Sequence, residues 1–146
     1  MTSGPLAAAL IGATLGAAAV AQEQAAPEPF DVDTRMGVLC SLALVHTLEA
    51  VGRRCMAEAD PAFQAALSDA AARLETHVLA SAAMTPDELA GFRRSMAGDI
   101  QSDAAICGGD GARLYGVARE GGAERLRAHV DRQVARPGPP AWGACL

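Results

Sequence analysis

Apolar side chains recur at helical spacing along most of this chain, and the pattern predicts an all-α protein. The apolar segment that follows the N-terminal 34 residues predicts helix A over residues 35–58, with Asp33 or Thr34 as its N-cap. At about 100° per residue, one face of helix A carries Met36, Cys40, Ala43, Leu44, Thr47, Val51 and Cys55. The opposite face is apolar as well. A helix that is apolar nearly all round is a buried one, so helix A is the expected centre of the fold.

Capping residues and prolines mark where the next two helices begin. Asp60 is the expected N-cap of helix B, which is predicted over residues 61–83 with a proline at its first position. Thr85 and Glu88 have the spacing of a capping box around a further proline, so helix C is predicted to begin there. The apolar face of helix C continues to Cys107, and the helix is expected to reach that residue.

Glycines divide the C-terminal third of the chain. A short helix D is predicted over residues 112–119, and Gly121-Gly122 separates it from helix E, which runs to residue 136. Residues 137–146 are rich in Pro and Gly and predict an extended tail. No strand-like alternation and no internal repeat interrupts this helical pattern.

The N-terminal segment has the pattern of a secretory signal peptide. Residues 1–21 contain no charged side chain, and the apolar run over 6–20 ends in an A-x-A cleavage pattern. The mature chain is therefore expected to begin near Gln22, with residues 22–33 as a flexible lead. A transmembrane anchor is the alternative, but ~15 apolar residues fall short of the roughly 20 that span a bilayer.

Charge and composition limit which cellular compartment and which classes of partner are expected for this chain. The chain has 12 basic residues, all Arg, against 17 acidic ones, and its net charge is −5. This acidic balance argues against nucleic acid or an anionic membrane as partner, since both require a basic surface. The use of Arg alone, with much Ala and Gly, is typical of a GC-rich bacterial genome. A periplasmic or secreted bacterial protein is the expectation.

The four cysteines predict how the helices are tied together. Cys40 and Cys55 lie about 22 Å apart along one helix, whereas a disulfide needs Cα atoms within roughly 7 Å. Antiparallel order of the helices places Cys55 beside Cys107 at one end and Cys40 beside Cys145 at the other. We therefore predict the bonds Cys55–Cys107 and Cys40–Cys145. The predicted fold is a small disulfide-stapled helical bundle of four to five helices, in one domain over residues 34–146.

Three polar residues are candidates for a site. His77 falls on the apolar face of helix B and Asp103 on the apolar face of helix C. If they converged with His129 of helix E, they would form a small metal or acid–base site. The favoured interpretation is that His77 and Asp103 are core polar groups satisfied by hydrogen bonds.

Other polar features have structural interpretations. His46 and Glu49 share one side of helix A, but a carboxylate-bridged metal pair would need two Glu-x-x-His pairs, so a pair on the helix surface or rim is favoured. Arg53-Arg54 and Arg93-Arg94 are charge pairs at helix ends or faces, and a solvated role is favoured over anion binding. Trp142 is either a plug for the end of the bundle or an exposed contact, and its neighbouring cysteine favours the plug. No C-x-x-C is present, and no cofactor or metal is predicted.

These features favour a non-enzymatic interaction module: an inhibitor, an immunity-type protein or an accessory protein. Its expected partner is another periplasmic or envelope protein. The alternative is a helical bundle that binds a small ligand or a metal, suggested by the polar residues on apolar faces. An enzyme is the least favoured class because the sequence contains no assembled catalytic motif.

Overall fold

The computed structural model describes residues 36–98 and 101–145, which form five helices and no strand. They are α1 (Val38–Cys55), α2 (Pro61–Ala80), α3 (Pro86–Met96), α4 (Asp103–Cys107) and α5 (Asp110–Val134). The predicted all-α bundle is confirmed. The predicted signal peptide over 1–21 and the lead over 22–33 lie outside the described residues.

Helix α1 is the centre of the bundle, as its pattern predicts, and it packs against each of the other four helices. Its side chains Leu42, Val45 and Leu48 are fully buried. The predicted start was wrong: the helix begins at Val38 with Gly37 in the N-cap position, later than Asp33 or Thr34 would place it.

Both predicted capping arrangements are confirmed. The Asp60 carboxylate accepts a hydrogen bond from the Phe63 amide, with proline at the first helical position of α2. Thr85 and Glu88 make the reciprocal capping box at the start of α3. Helix α2 ends at Ala80, three residues before the predicted end.

Predicted helix C is two helices. Helix α3 ends at Met96, Gly98 takes a left-handed conformation with φ of +63°, and Ser102 caps the separate helix α4. The Arg54 guanidinium holds this connection by donating to the Gly98 and Gln101 carbonyls. The helical spacing of apolar residues can continue across such a break. This spacing shows which residues face the core, but it does not show that the backbone between them is helical.

Predicted helices D and E form one element, α5, which begins at Asp110 and is interrupted at Gly122. That glycine has φ of 80° and ψ of 169°, outside the helical region. The predicted break at Gly121-Gly122 is therefore confirmed, since a positive φ is readily adopted only by glycine.

The cysteines lie at disulfide distance in the predicted pairs. The Cα atoms of Cys55 and Cys107 are 5.4 Å apart, and those of Cys40 and Cys145 are 5.6 Å apart. The first pair joins the end of α1 to the end of α4, and the second joins the tail to the start of α1.

The tail reaches α1 along its backbone. The amide of Gly37 donates to the Trp142 carbonyl at 2.9 Å, and that of Leu39 donates to the Ala141 carbonyl at 3.1 Å. A Cβ atom on Gly37 would lie 2.1 Å from the Ala141 carbonyl oxygen. The close approach of tail and helix therefore requires glycine at this position.

Within residues 36–98 and 101–145, no helix is both long enough and apolar enough to cross a membrane.

Candidate functional site

The three polar residues singled out from the sequence do not come together. His129 is 4% exposed and its Nε2 lies 2.9 Å from the hydroxyl of Ser41. The Asp103 side chain is 76% exposed and pairs with Arg54. Ser41 and Arg54 are 13 residues apart on α1, which is about 20 Å of helix. His77 is half-exposed on α2.

The interpretation of His77 and Asp103 as satisfied core groups was wrong, since neither side chain is buried. The prediction that Asp103 lies on an apolar face was wrong because α4 is a separate helix. The apolar face of α3 therefore does not show which side of α4 faces the core. Asp103 lies in the first turn of α4, where a carboxylate is favourable. His77 lies beside the apolar face of α2 and not within it.

A different histidine lies at the base of a cleft between α1, α2 and α3. The cleft has a volume of about 380 Å³. Its lining is polar and charged, apart from small alanines. The lining side chains are His46, Glu49, Arg53, Ser68, Ala71, Ala72, Glu75, Arg93, Arg94 and Ala97.

His46 lies between two carboxylates and is only 5% exposed. Its Nδ1 is 3.2 Å from Glu49 Oε2 on the same helix, and its Nε2 is 3.1 Å from Glu75 Oε1 on α2. The Nδ1 contact has hydrogen-bond geometry. The Nε2 contact is close but not aligned, and Nε2 has no hydrogen-bond partner among the described residues.

The prediction that His46 and Glu49 form a pair on the helix surface or rim was therefore wrong. Helix α2 covers this side of α1 and brings Glu75 to the imidazole. The ring of Phe92 on α3 meets the imidazole edge to face, with 6.3 Å between ring centroids.

Glu49 is held in its charged form. Burial by itself would raise the pKa of Glu49, but hydrogen bonds from His46 and Ser68 and the charge of Arg53 together lower it below its usual value. The Ser68 hydroxyl donates to Glu49 Oε1 at 2.8 Å. Because an ionised carboxylate can only accept, Nδ1 of His46 carries a proton and donates it to this contact.

The Nε2 atom of His46 faces the Glu75 carboxylate, with 3.1 Å to Oε1. Arg93 Nε donates to the same Glu75 oxygen at 2.9 Å and reduces the negative charge beside the imidazole.

Two further arginines line the cleft. Arg53 lies 3.7 Å from Glu49 Oε1, and more than half of its side chain is exposed. No carboxylate among the described residues pairs with Arg94. Arg54, which was expected to be solvated like its neighbours, points to α4 instead and binds Asp103 there.

An aromatic pair adjoins the cleft. The Phe92 ring contacts both His46 and Trp142, with 5.9 Å between its centroid and that of the indole. Trp142 is 48% exposed, so the prediction that it plugs the end of the bundle was wrong. The tail pairs with the start of α1 by backbone contacts, and this leaves one side of the indole open to solvent.

Reasoning from the sequence missed Glu75, and Arg93, which was expected to be solvated, binds it. The available signal was on one face of α2, where the small residues Ser68, Ala71 and Ala72 are followed by the acidic Glu75. Small side chains on this face allow a neighbouring helix to approach closely, and Glu75 then lies where the two helices meet. The sequence does not show that the neighbour would present His46.

Among the described residues, no group of three or more His, Cys, Asp or Glu side chains is placed to hold a metal ion. His46, Glu49 and Glu75 lie close together, but the two carboxylates contact opposite sides of the imidazole ring.

Comparison with models of known families, with curated proteins and with solved structures finds no match to this chain.

Proposed function

We propose that this chain is an exported, non-enzymatic protein-binding module of the periplasm or the secreted fraction, acting as an inhibitor, an immunity-type protein or an accessory protein. The observation that carries the proposal is the exposed Trp142 beside Phe92 and the arginines of the cleft. Tryptophan and arginine are enriched among the residues that dominate the free energy of protein association.

Contacts within the chain hold the backbone that bears Trp142 against α1. Two hydrogen bonds to α1 and the pairing of Cys145 with Cys40 hold the tail on both sides of the indole. Ordering a loop in advance reduces the entropy lost on binding. The paired cysteines also suit an oxidising compartment, in which such bonds persist.

A non-enzymatic role is supported by the contacts of Ser68. This hydroxyl donates to Glu49 and has no hydrogen bond to the imidazole, so among the described residues the cleft holds no Ser–His pair of the kind that activates a serine nucleophile. The partner expected from this arrangement is another periplasmic or envelope protein.

The proposal is tested by capture from a periplasmic extract with immobilised protein. Wild type is expected to retain a partner in stoichiometric amount, and Trp142→Ala to lose it because the indole supplies the contact. Leu79→Ala is the matched control, since Leu79 is the other exposed large apolar side chain among the described residues. The proposal fails if no captured protein depends on Trp142, or if both variants lose the same partner.

A second candidate function is the binding of a small ligand. The polar cleft around His46 favours it, because a concave site with a few converging polar groups is the usual form of a ligand pocket.

A further inference from the structure

We infer that the His46 cleft binds a small oxyanion, either a carboxylate or a phosphate, through Arg53 and Arg94. This inference rests on the second candidate function and names its ligand class. It does not depend on a protein partner.

The charge of the cleft favours an anion. Three arginines and two glutamates line it, which gives a net charge of +1 while His46 is neutral. The whole chain has a net charge of −5. A cleft of opposite sign to its protein attracts anions that the rest of the surface repels.

Two of the three guanidinium groups are available to a ligand. Arg93 is engaged by Glu75, with 2.9 Å between Nε and Oε1. Arg53 has only a long contact to Glu49, and Arg94 pairs with no carboxylate of the described residues. A guanidinium fork matches the paired oxygens of a carboxylate or a phosphate.

The floor of the cleft disfavours a cation. Glu75 Oε1 already receives the Arg93 guanidinium and lies 3.1 Å from His46 Nε2, so a cation there would be repelled by Arg93. Glu49 receives hydrogen bonds from His46 and Ser68. Both carboxylates thus already accept hydrogen bonds within the protein. The charged groups left to bind a ligand are the guanidinium groups of Arg53 and Arg94.

The dimensions suit a small ligand. A volume of about 380 Å³ lies near the lower end of the range of roughly 300–1,000 Å³ for ligand pockets. Small residues on α2 and at the end of α3 leave this space open.

The test is a titration of the purified protein with inorganic phosphate and, separately, with acetate. Amide chemical shifts are followed by NMR, with sodium chloride added to hold the ionic strength constant. Saturable shifts are expected at residues lining the cleft for at least one anion. The double variant Arg53→Gln/Arg94→Gln is expected to weaken that binding by about tenfold or more, because charge-assisted hydrogen bonds are removed.

Two controls make the result specific. Arg113→Gln removes an exposed arginine that pairs with Asp110, outside the cleft, and is expected to leave the affinity within about twofold. Trp142→Ala is expected to retain anion binding even where it loses a protein partner, so the two proposals fail separately. If the double variant is unstable, the single variants at Arg53 and Arg94 are each compared with Arg113→Gln.

The inference is overturned if neither anion gives saturable shifts at the cleft. It is equally overturned if the arginine variants bind the anion as tightly as wild type. Which anion binds more tightly identifies the ligand as a phosphate or a carboxylate.

Discussion

His46 and His129 are buried to nearly the same extent, at 5% and 4% exposure, but their surroundings differ in kind. His129 meets the neutral hydroxyl of Ser41, which itself donates to the Gly37 carbonyl at 3.1 Å. Since that hydroxyl has one proton to give, Nε2 of His129 acts as the donor to Ser41. His46 lies between two carboxylates and at the base of an open cleft.

The comparison shows that burial alone does not identify a functional histidine. The contact of His129 with the Ser41 hydroxyl ties α5 to the first turn of α1, close to the tail. At His46 each ring nitrogen faces a carboxylate, and the ring lies at the base of a cleft. We therefore assign His129 to stability and His46 to the candidate site.

The largest expected difference between His46 and His129 is in the stability lost when each histidine is replaced by alanine. His129→Ala should lower the free energy of unfolding by roughly 3 kcal/mol, because it leaves a cavity and unsatisfied polar atoms in the core. His46→Ala should cost about 1 kcal/mol, since water can enter the cleft and solvate Glu49 and Glu75. Urea denaturation at neutral pH measures both, and a greater loss at His46 would reverse our assignment.

An intermediate effect is expected from Gly37→Ala, which alters the His129 side of the molecule without touching a histidine. The added Cβ would lie 2.1 Å from a backbone oxygen of the tail, so tail and helix must separate. We expect a loss of about 2 kcal/mol and a red shift of Trp142 fluorescence. Gly116→Ala is the control, since a Cβ there meets no atom within 4 Å. Unchanged fluorescence in Gly37→Ala would contradict the tail contact.

The smallest expected effect is the pH dependence of stability that Glu49, the neighbour of His46, contributes. Because the pKa of Glu49 is lowered in the folded protein, its ionised form stabilises the fold above the ordinary glutamate value of 4.5. This contribution is lost as the pH falls from 4.5 through the lower folded pKa.

Glu49→Gln should therefore be less stable than wild type at neutral pH, and the difference should shrink as the pH falls below 4.5. Chemical denaturation over a series of acid buffers measures the difference. Glu120→Gln is the matched control for loss of one exposed carboxylate. A difference for Glu49→Gln that does not change with pH would show that the contacts of its carboxylate do not favour the charged form.

Much of the fold could be predicted from local features. Thr85 and Glu88 define the start of α3 by themselves, because a capping box is closed within four residues. The cysteine pairs followed from helix rise and antiparallel order. The break after Met96 could not be predicted, since Arg54 holds that connection from a helix more than forty residues earlier.

The candidate site depended far more on tertiary structure. Polar residues were assigned from their own helix, which gave the wrong surroundings for His77, Asp103 and His46. Glu75 became part of the site only because α2 packs on the side of α1 that bears His46.

The sequence by itself determined the helical class, the starts of α2 and α3, the central place of α1 and the pairing of the cysteines. These depend on spacing along the chain and on interactions that close within a few residues. The tertiary structure decided that His46 is buried between Glu49 and Glu75, that Trp142 is exposed, and that arginines of α1 and α3 line one cleft. The physical reason is that the charge and burial of a side chain depend on neighbours from other helices, and small differences in helix rotation select which neighbours those are.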